Sequence, residues 1–442
     1  MVSAWATGNY TWNDIYLADF SVRFDGSSDF GSKQRWAPFF SGGLGVNIHN
    51  YEFLKGNEIV NKLKVRASYG RTGKASFPAY AATTMYEALF DEWYATGFGA
   101  VLKALGNNNL TWEKTDKFNV GIEMQFLNRR LTVDADYYHD KTIDLVNDVS
   151  LSQTSGFSSY KDNMGEVLNQ GFELQVRGEV FRNRDWLVAL WGNMAHNKNK
   201  ILKISDSQRA YNQRVKEFYE NIVNEEYGRY NSKYGVPISQ YEEGQSLTSI
   251  WAVKSLGIDP TTGKEIFLNR DGSVSDTWNA TQEVAVGNTE PKFNGSIGFN
   301  AAYKQWSLFA AFQYEWGGQE YNQTLVDRVE NARIQYQNVD LRVLTDRWKQ
   351  PGDIAQFKDI KNADSATMPT SRFVQDKAYL RLSALTLSYD FNREWIKKYL
   401  GMNMLRLEAS TRDFINWNSI RQERGLSYPK SWTVDFSIKA QF

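Results

Sequence analysis

The last twelve residues alternate Trp432, Val434, Phe436, Ile438, Ala440 and Phe442 with Thr433, Asp435, Ser437, Lys439 and Gln441. Successive side chains of an extended strand point to opposite faces, so the stretch presents one apolar and one polar face. The same two-residue period recurs upstream. Tyr16, Ala18, Phe20, Val22 and Phe24 oppose Asp19, Ser21, Arg23 and Asp25, and Leu63, Val65, Ala67 and Tyr69 oppose Lys62, Lys64, Arg66 and Ser68. Read along the chain, the pattern predicts thirteen strands, over 2–10, 15–25, 36–48, 62–70, 118–126, 131–137, 172–180, 186–195, 293–303, 306–314, 379–391, 404–414 and 431–442. Between them, 71–112 and 147–168 read as loops. Residues 206–230 and 325–348 predict helices, and 254–271 a hairpin with turns at 259–263 and 270–272.

The connections between these strands alternate between terse and extended. Asn128-Arg129, 182–184 and Lys304-Gln305 are minimal, whereas 71–112, 197–289 and 317–372 are long. A sandwich has no reason to gather every long loop at one end. Outer-membrane barrels do so, with short periplasmic turns and long extracellular loops. The fold class expected is therefore all-β, an antiparallel transmembrane β-barrel whose long extracellular loops carry short helices. Single-chain bacterial barrels have an even number of strands, and an open sheet edge in lipid leaves unpaired backbone groups. Thirteen strands lead to the expectation that further strands precede Met1. Met1-Val-Ser-Ala-Trp5 also lacks the basic and apolar regions of a signal peptide.

Composition narrows the alternatives. Aromatic residues make up 15% of the chain while the mean hydropathy is −0.54, which suits half-apolar strands joined by polar loops. No run of 18 apolar residues exists to form a membrane-spanning helix. Lys plus Arg balance Asp plus Glu at 51 each, so no nucleic-acid partner is indicated. The absence of cysteine excludes disulfides, thiolate metal sites and cysteine nucleophiles.

Candidate chemistry is sparse. His49, His139 and His196 lie far apart, Thr72-Gly-Lys74 and Thr262-Gly-Lys264 lack the rest of a phosphate loop, and no catalytic constellation stands out. No enzyme activity, metal or cofactor is expected. In a barrel the charged strand face lines the lumen, which nominates Arg23, Lys64, Arg66, Glu123 and Glu173 as lumen-facing residues. Tyr86, Trp93, Tyr94, Trp251 and Trp278 fall in predicted extracellular loops. Their rings suit sugar faces or a lid, and equally the packing of the loops themselves. Trp432, Val434, Phe436, Ile438 and Phe442 mark the terminal strand as the one that guides insertion and closes the barrel.

Several motifs sharpen this picture. They include Arg23-Phe-Asp-Gly-Ser-Ser-Asp-Phe-Gly31, Lys62-Leu-Lys-Val-Arg-Ala-Ser-Tyr-Gly-Arg-Thr-Gly73 and Asn109-Leu-Thr-Trp-Glu-Lys-Thr115. Phe126-Leu-Asn-Arg-Arg-Leu131, Met164-Gly-Glu-Val-Leu-Asn-Gln-Gly-Phe-Glu-Leu174, Gly287-Asn-Thr-Glu-Pro-Lys-Phe293 and Gly425-Leu-Ser-Tyr-Pro429 follow in order. Together they resemble the carboxy-terminal half of SusC/RagA-like TonB-dependent outer-membrane transporters. The resemblance implies that residues 1–442 are the carboxy-terminal portion of a 22-stranded barrel in the outer membrane of a Gram-negative bacterium. Signal peptide, TonB box and plug domain would be absent from this stretch. It further implies nutrient import powered by the TonB complex through the missing amino-terminal region. A SusD-like lipoprotein would close the outer face, outer-membrane lipid would surround the wall, and an oligosaccharide or peptide would be the substrate. A soluble or surface carbohydrate-binding β-protein, or a passive porin, would use the same residues differently; the former would fold without detergent.

Overall fold

A computed structural model describes residues 1–27, 35–74, 83–94, 97–107, 110–150, 159–163, 165–224, 236–332, 334, 339–362, 367–421 and 432–442. The period-two segments form the wall strands β1 (Val2–Trp12), β2 (Tyr16–Gly26), β3 (Trp36–Asn47), β4 (Val60–Lys74), β5 (Glu113–Phe126), β6 (Leu131–Ile143) and β7 (Gly165–Arg182). They continue as β8 (Trp186–Ile204), β9 (Phe293–Tyr303), β10 (Trp306–Tyr321), β11 (Val374–Asp390), β12 (Met404–Thr411) and β13 (Val434–Gln441). All thirteen lie in one sheet in chain order, each pairing with the next, and Asn416–Asn418 adds a short fourteenth beside β11. Every pairing is antiparallel. The sheet is a barrel wall, as its alternation and loop asymmetry led one to expect.

Turn chemistry closes one end of the sheet. Asn13 and Asp14, at φ of 52° and 56°, make the β1–β2 connection, and Lys304, at 53°, the β9–β10 connection. Left-handed residues match the twist of the flanking strands in such tight hairpins. At this end the outer-facing rings pair: Trp12 with Tyr16 at 5.5 Å, Trp186 with Tyr303 at 4.4 Å and Trp306 with Tyr389 at 4.8 Å. A second row runs along the outer face near the other end, where Phe172, His196 and Phe293 touch at 5.4–6.4 Å. Phe293 and Tyr303 bound the 11 residues of β9. At about 3.3 Å per residue and a tilt of about 40° the two rows stand about 25 Å apart, the height of an outer-membrane apolar band between its aromatic girdles.

Several sequence expectations are corrected. β4 to β8, β10 and β11 all run beyond their expected limits at the long-loop end, β8 reaching Ile204 instead of 195. Residues 71–112 are not simply a loop: they hold the end of β4 and a separate hairpin, Met85–Tyr94 with Gly97–Ala104. Residues 147–168 likewise include the pairing of Val146–Ser150 with Ser159–Asn163 and the start of β7. The helix expected over 206–230 is Asp206–Asn224, with 225–230 outside the described residues. The helix expected over 325–348 breaks into Gln323–Leu325, a widened turn at Val326–Glu330 and Arg342–Thr345. There Leu325, Val326, Val329 and Val343 converge on Phe357 and Phe373 from separate segments, and that packing overrides the helical period. A helix not anticipated, Arg393–Leu400, sits in the β11–β12 connection, capped by Asn392 and ended by Gly401 at φ 66°.

The wall itself has little core. Its outer side chains are exposed, including Phe20, Leu44, Ile297, Phe436 and Ile438. The main apolar clusters lie instead among the long loops. An exposed apolar sheet of this extent requires hydrocarbon around it. Phe436 faces outward beside Ala409 in the middle of β13. Phe436→Arg should destabilise the lipid-inserted wall by about 2–4 kcal/mol, against near zero for the inward Ser437→Arg, in urea unfolding from lipid vesicles.

Candidate functional site

The cross-strand register sorts the wall into two chemically distinct sides. On the inner side, Lys64, Glu123, Asp134, Gln175, Asn193, Ser296, Gln313 and Arg381 stand opposite one another in a single row from β4 to β11. One residue along each strand, the outer row reads Val65, Ile122, Ala135, Leu174, Met194, Gly295, Tyr314 and Leu380. An unbroken polar row against an unbroken apolar one separates water from hydrocarbon.

The inner charges are linked rather than scattered. Glu123 receives Lys62 Nζ at 2.6 Å, Arg66 at 3.4 Å and Lys64 at 3.7 Å. Arg66 also donates to Asp136 Oδ1 at 2.6 Å and to Asn119 Oδ1 at 3.2 Å. Gly121, opposite Arg66 on β5, makes that reach possible: a Cβ there would collide with Asp136 and come within 2.9 Å of Arg66 Cζ. Nearer the long-loop end, Tyr138 donates to Asn197 Oδ1 at 2.9 Å, and Asn199 donates to Asn169 Oδ1 at 2.8 Å. These half-buried groups keep water contact, so each pair contributes only about 0.2–1 kcal/mol. Together they give the inner face a linked polar surface.

Of the residues nominated from the sequence, Lys64, Arg66 and Glu123 come together in this network. Arg23 lies on the inner face of β2, paired with the buried Asp25. Glu173 sits opposite Asp136 and remains exposed. Lys62, read from the sequence as part of the polar face, joins the network, whereas Asp134 and Asp136 were missed although their alternation with Val133 and Ala135 marks them as inward. Among the loop aromatics, Tyr86 is exposed on the 85–94 strand, and the side chains of Trp93 and Tyr94 lie outside the described residues. Trp251 is only 1% exposed and packs inside the loops. Trp278 is half-buried, its ring 5.4 Å from Tyr219 and its Nε1 donating to Pro369 O at 2.9 Å. On the terminal strand, Val434 and Ile438 face outward with Phe436, Trp432 touches Phe414 at 5.0 Å, and Phe442 is exposed.

Above the wall, the β8–β9 and β10–β11 loops lock into one cap. Arg372 makes two-pronged bonds to Glu265 (2.8 and 3.1 Å) and to Glu330 (2.7 and 3.2 Å). Glu330 is fully buried, and the Arg372 guanidinium also lies over the Phe373 ring. Arg347 donates to the carbonyls of Val329, Glu330 and Lys358. Lys358 donates to Thr367 Oγ1 at 3.1 Å, and burial pulls its ammonium down to about 8. Trp348 Nε1 reaches Pro260 O at 2.9 Å, tying the two loops again. Helix 206–224 packs through Val215 and Tyr219 on Ala280 and Met368. Beside it, burial pushes the Glu283 carboxyl up to about 8, opposed by its bond from Gln240. Among the described residues no group of three His, Asp or Glu side chains could hold a metal ion.

Comparison with known proteins places this geometry. The family described as "TonB dependent receptor-like, beta-barrel" matches residues 2–410. TonB-dependent receptor P3 of Formosa agariphila is 27% identical over 424 residues, covering 94% of this chain and 41% of its own. TonB-dependent receptor SusC of Bacteroides thetaiotaomicron is 33% identical over 215 residues, 46% of this chain and 21% of its own. The solved RagAB peptide transporter superposes with a TM-score of 0.80 at 24% identity, covering all of this chain and 47% of that one. The chain thus spans less than half the length of these relatives, which are receptors and transporters rather than enzymes.

Two measurements check the cap. Glu330→Ala leaves Arg372 buried against one carboxylate and should cost about 3–5 kcal/mol, seen as accelerated hydrogen exchange in 253–268 and 367–373 together. Glu283 is held above its ordinary 4.5, so the folded cap binds its proton more tightly than the unfolded chain. That stability is complete below about 4.5 and is lost as pH climbs through about 8. Protection of helix 206–224, corrected for intrinsic exchange, should fall between about pH 4.5 and 8 and level off above, and Glu283→Gln should remove the dependence.

Proposed function

This chain belongs to the family of TonB-dependent receptor-like β-barrels, and we propose from that premise that it forms the channel wall of a SusC/RagA-type outer-membrane nutrient importer. The observation that carries the reading is the continuous inner row from Lys64 to Arg381, backed across eight strands by an apolar outer row. Such a wall offers a polar solute a hydrated path and turns a largely apolar row toward hydrocarbon.

The finer assignments rest on the same surfaces. The substrate is an oligosaccharide or a peptide, since the inner row carries both signs of charge together with amides and hydroxyls. Further strands complete the sheet at the edges of β1 and β13, because unpaired edge groups in lipid would each cost several kcal/mol. The TonB complex drives transport through a region outside this chain, and a SusD-like lipoprotein seats on the cap formed by the two long loops. That cap suits a docking platform: its ionic and apolar cross-links make two loops a single body, so a partner meets a preformed surface.

In the native protein, heat-modifiable gel mobility tests the barrel, and uptake of labelled maltooligosaccharides and peptides by TonB-competent and TonB-deficient cells tests the transport. Uptake of one class should require TonB. Glu123→Lys, which confronts Lys62, Lys64 and Arg66 with a fourth cation, should slow that uptake at least tenfold without altering heat-modifiable mobility. A protein that is monomeric and soluble without detergent would refute the reading.

A further inference from the structure

A cleft of about 930 Å³ opens above β9, bounded by β8, β10 and the turn that leads into β9. Its volume falls within the roughly 300–1,000 Å³ of sites that hold small ligands. The cleft exists because β9 begins at Phe293 while β8 and β10 continue to Ile204 and Tyr321, leaving a notch in the wall. Register divides its lining: Lys198, Asp376 and two tryptophans lie on the outer face, whereas Asn197, Asn199 and Lys377 belong to the inner face. Trp316 stands opposite Phe293, in the upper aromatic row, and Trp417 stands opposite the outward Leu380. Both tryptophans line the cleft and are exposed, at 67% and 59%.

The chemistry here differs from that of the apolar band below. Lys198 and Lys292 line the cleft, both exposed, and neither makes an ion pair with another described residue. The Lys292 stem lies across Gly317, a left-handed residue at φ 80° where any Cβ would press within 2.9 Å of it. Gln319 donates to Asp376 Oδ1 at 3.2 Å and accepts from Asn288 N at 3.1 Å, and both side chains line the cleft. Glu290, the other acid in the lining, accepts from Asn197 and from Asn199 N, so its charge is engaged inward. Acyl chains would leave these groups unsatisfied. Sugar hydroxyls suit the carboxylate and amide, sugar faces suit the tryptophan rings, and phosphate suits the unpaired ammonium groups.

From this arrangement we propose that the notch is a binding site for the phosphorylated sugar headgroup of an outer-leaflet glycolipid. Its height fits: the cleft lies directly above the upper aromatic row, where the band ends and headgroups begin. The site rests on the barrel reading above, but not on the identity of the cargo.

The native protein containing this chain would be stripped of lipid in detergent and offered four probes: lipopolysaccharide, its dephosphorylated form, inorganic phosphate and phosphatidylglycerol vesicles. Retention would be read by native mass spectrometry. Lipopolysaccharide should be retained, and the K198E/K292E double variant should weaken it about tenfold while leaving the dephosphorylated form unaffected. Trp316→Ala with Trp417→Ala should weaken both forms. Equal retention by K198E/K292E and the parent would overturn the proposal. So would displacement by inorganic phosphate at equal concentration, which marks a free-anion site, or equal binding of phosphatidylglycerol, which marks a generic lipid surface. Loss of a dimer in the double variant with lipid retention unchanged would assign the notch to a second copy instead. Unchanged heat-modifiable mobility certifies that each variant is folded. A parent lacking that mobility shift would sink the barrel itself, an outcome distinct from failure of the site.

Discussion

A peptide group inside hydrocarbon has no water to bond, so it must find its partner on a neighbouring strand. The thirteen-strand ladder meets that demand pair by pair in chain order, and most other features of the wall follow from it. Unbroken pairing requires extended backbone, which sends alternate side chains to opposite sides. Lipid on one side and water on the other then require the strict apolar and polar rows. Tight connections at one end keep the hairpins in register, and their left-handed residues, Asn13, Asp14 and Lys304, are what those turns demand. The paired rings of Trp186 with Tyr303 and Trp306 with Tyr389 suit the interface, where an amphipathic ring touches both media.

The same constraint explains why charge is handled in two ways. On the inner wall, Glu123 shares three cations and stays half-exposed, so the network can be altered at small cost to the fold. In the cap, Glu330 and Arg372 are withdrawn from water and need full, two-pronged pairing. Losing either partner there strands the other, a far larger penalty. The inner wall is therefore the part of this molecule whose charges can vary at small cost, and the cap is the part held to one arrangement.

Legibility from the sequence follows the medium. Within the membrane band the period of two is enforced by lipid on one side, and the number and order of the wall strands could be read from it. Above the band both faces of a strand meet water or loops, the alternation fades, and the strands run on unannounced: β8 continues through Asn197, Asn199 and Ile201 to Ile204. The inner charges were partly legible, since Lys64, Arg66 and Glu123 alternate with apolar neighbours. Their grouping was not, because Arg66 and Asp136 are 70 residues apart and meet only once the register is fixed. The cap was least legible. Glu265 and Arg372 are 107 residues apart, and no local pattern announces a contact between two irregular loops. Trp251 illustrates the same limit: nothing local in the sequence announces that this loop tryptophan is buried.

These two regimes divide the structural work of the molecule. Register rigidity comes from the ladder, which neither inner nor outer side chains supply, so the inner surface can be tuned without loosening the strands. The cap has no ladder of comparable extent and depends on side-chain packing, with Phe357 and Phe373 gathering Leu325, Val326 and Val329 around the buried ionic pairs. Apolar packing alone would tolerate sliding, because it is non-directional. The forked geometry of Arg372 does not tolerate it, since both of its carboxylate partners must arrive together. What fixes the position of the cap over the lumen is thus a directional contact between the loops that follow β8 and β10, the two strands that also flank the notch above β9. Any sliding of one loop against the other would first have to break that contact.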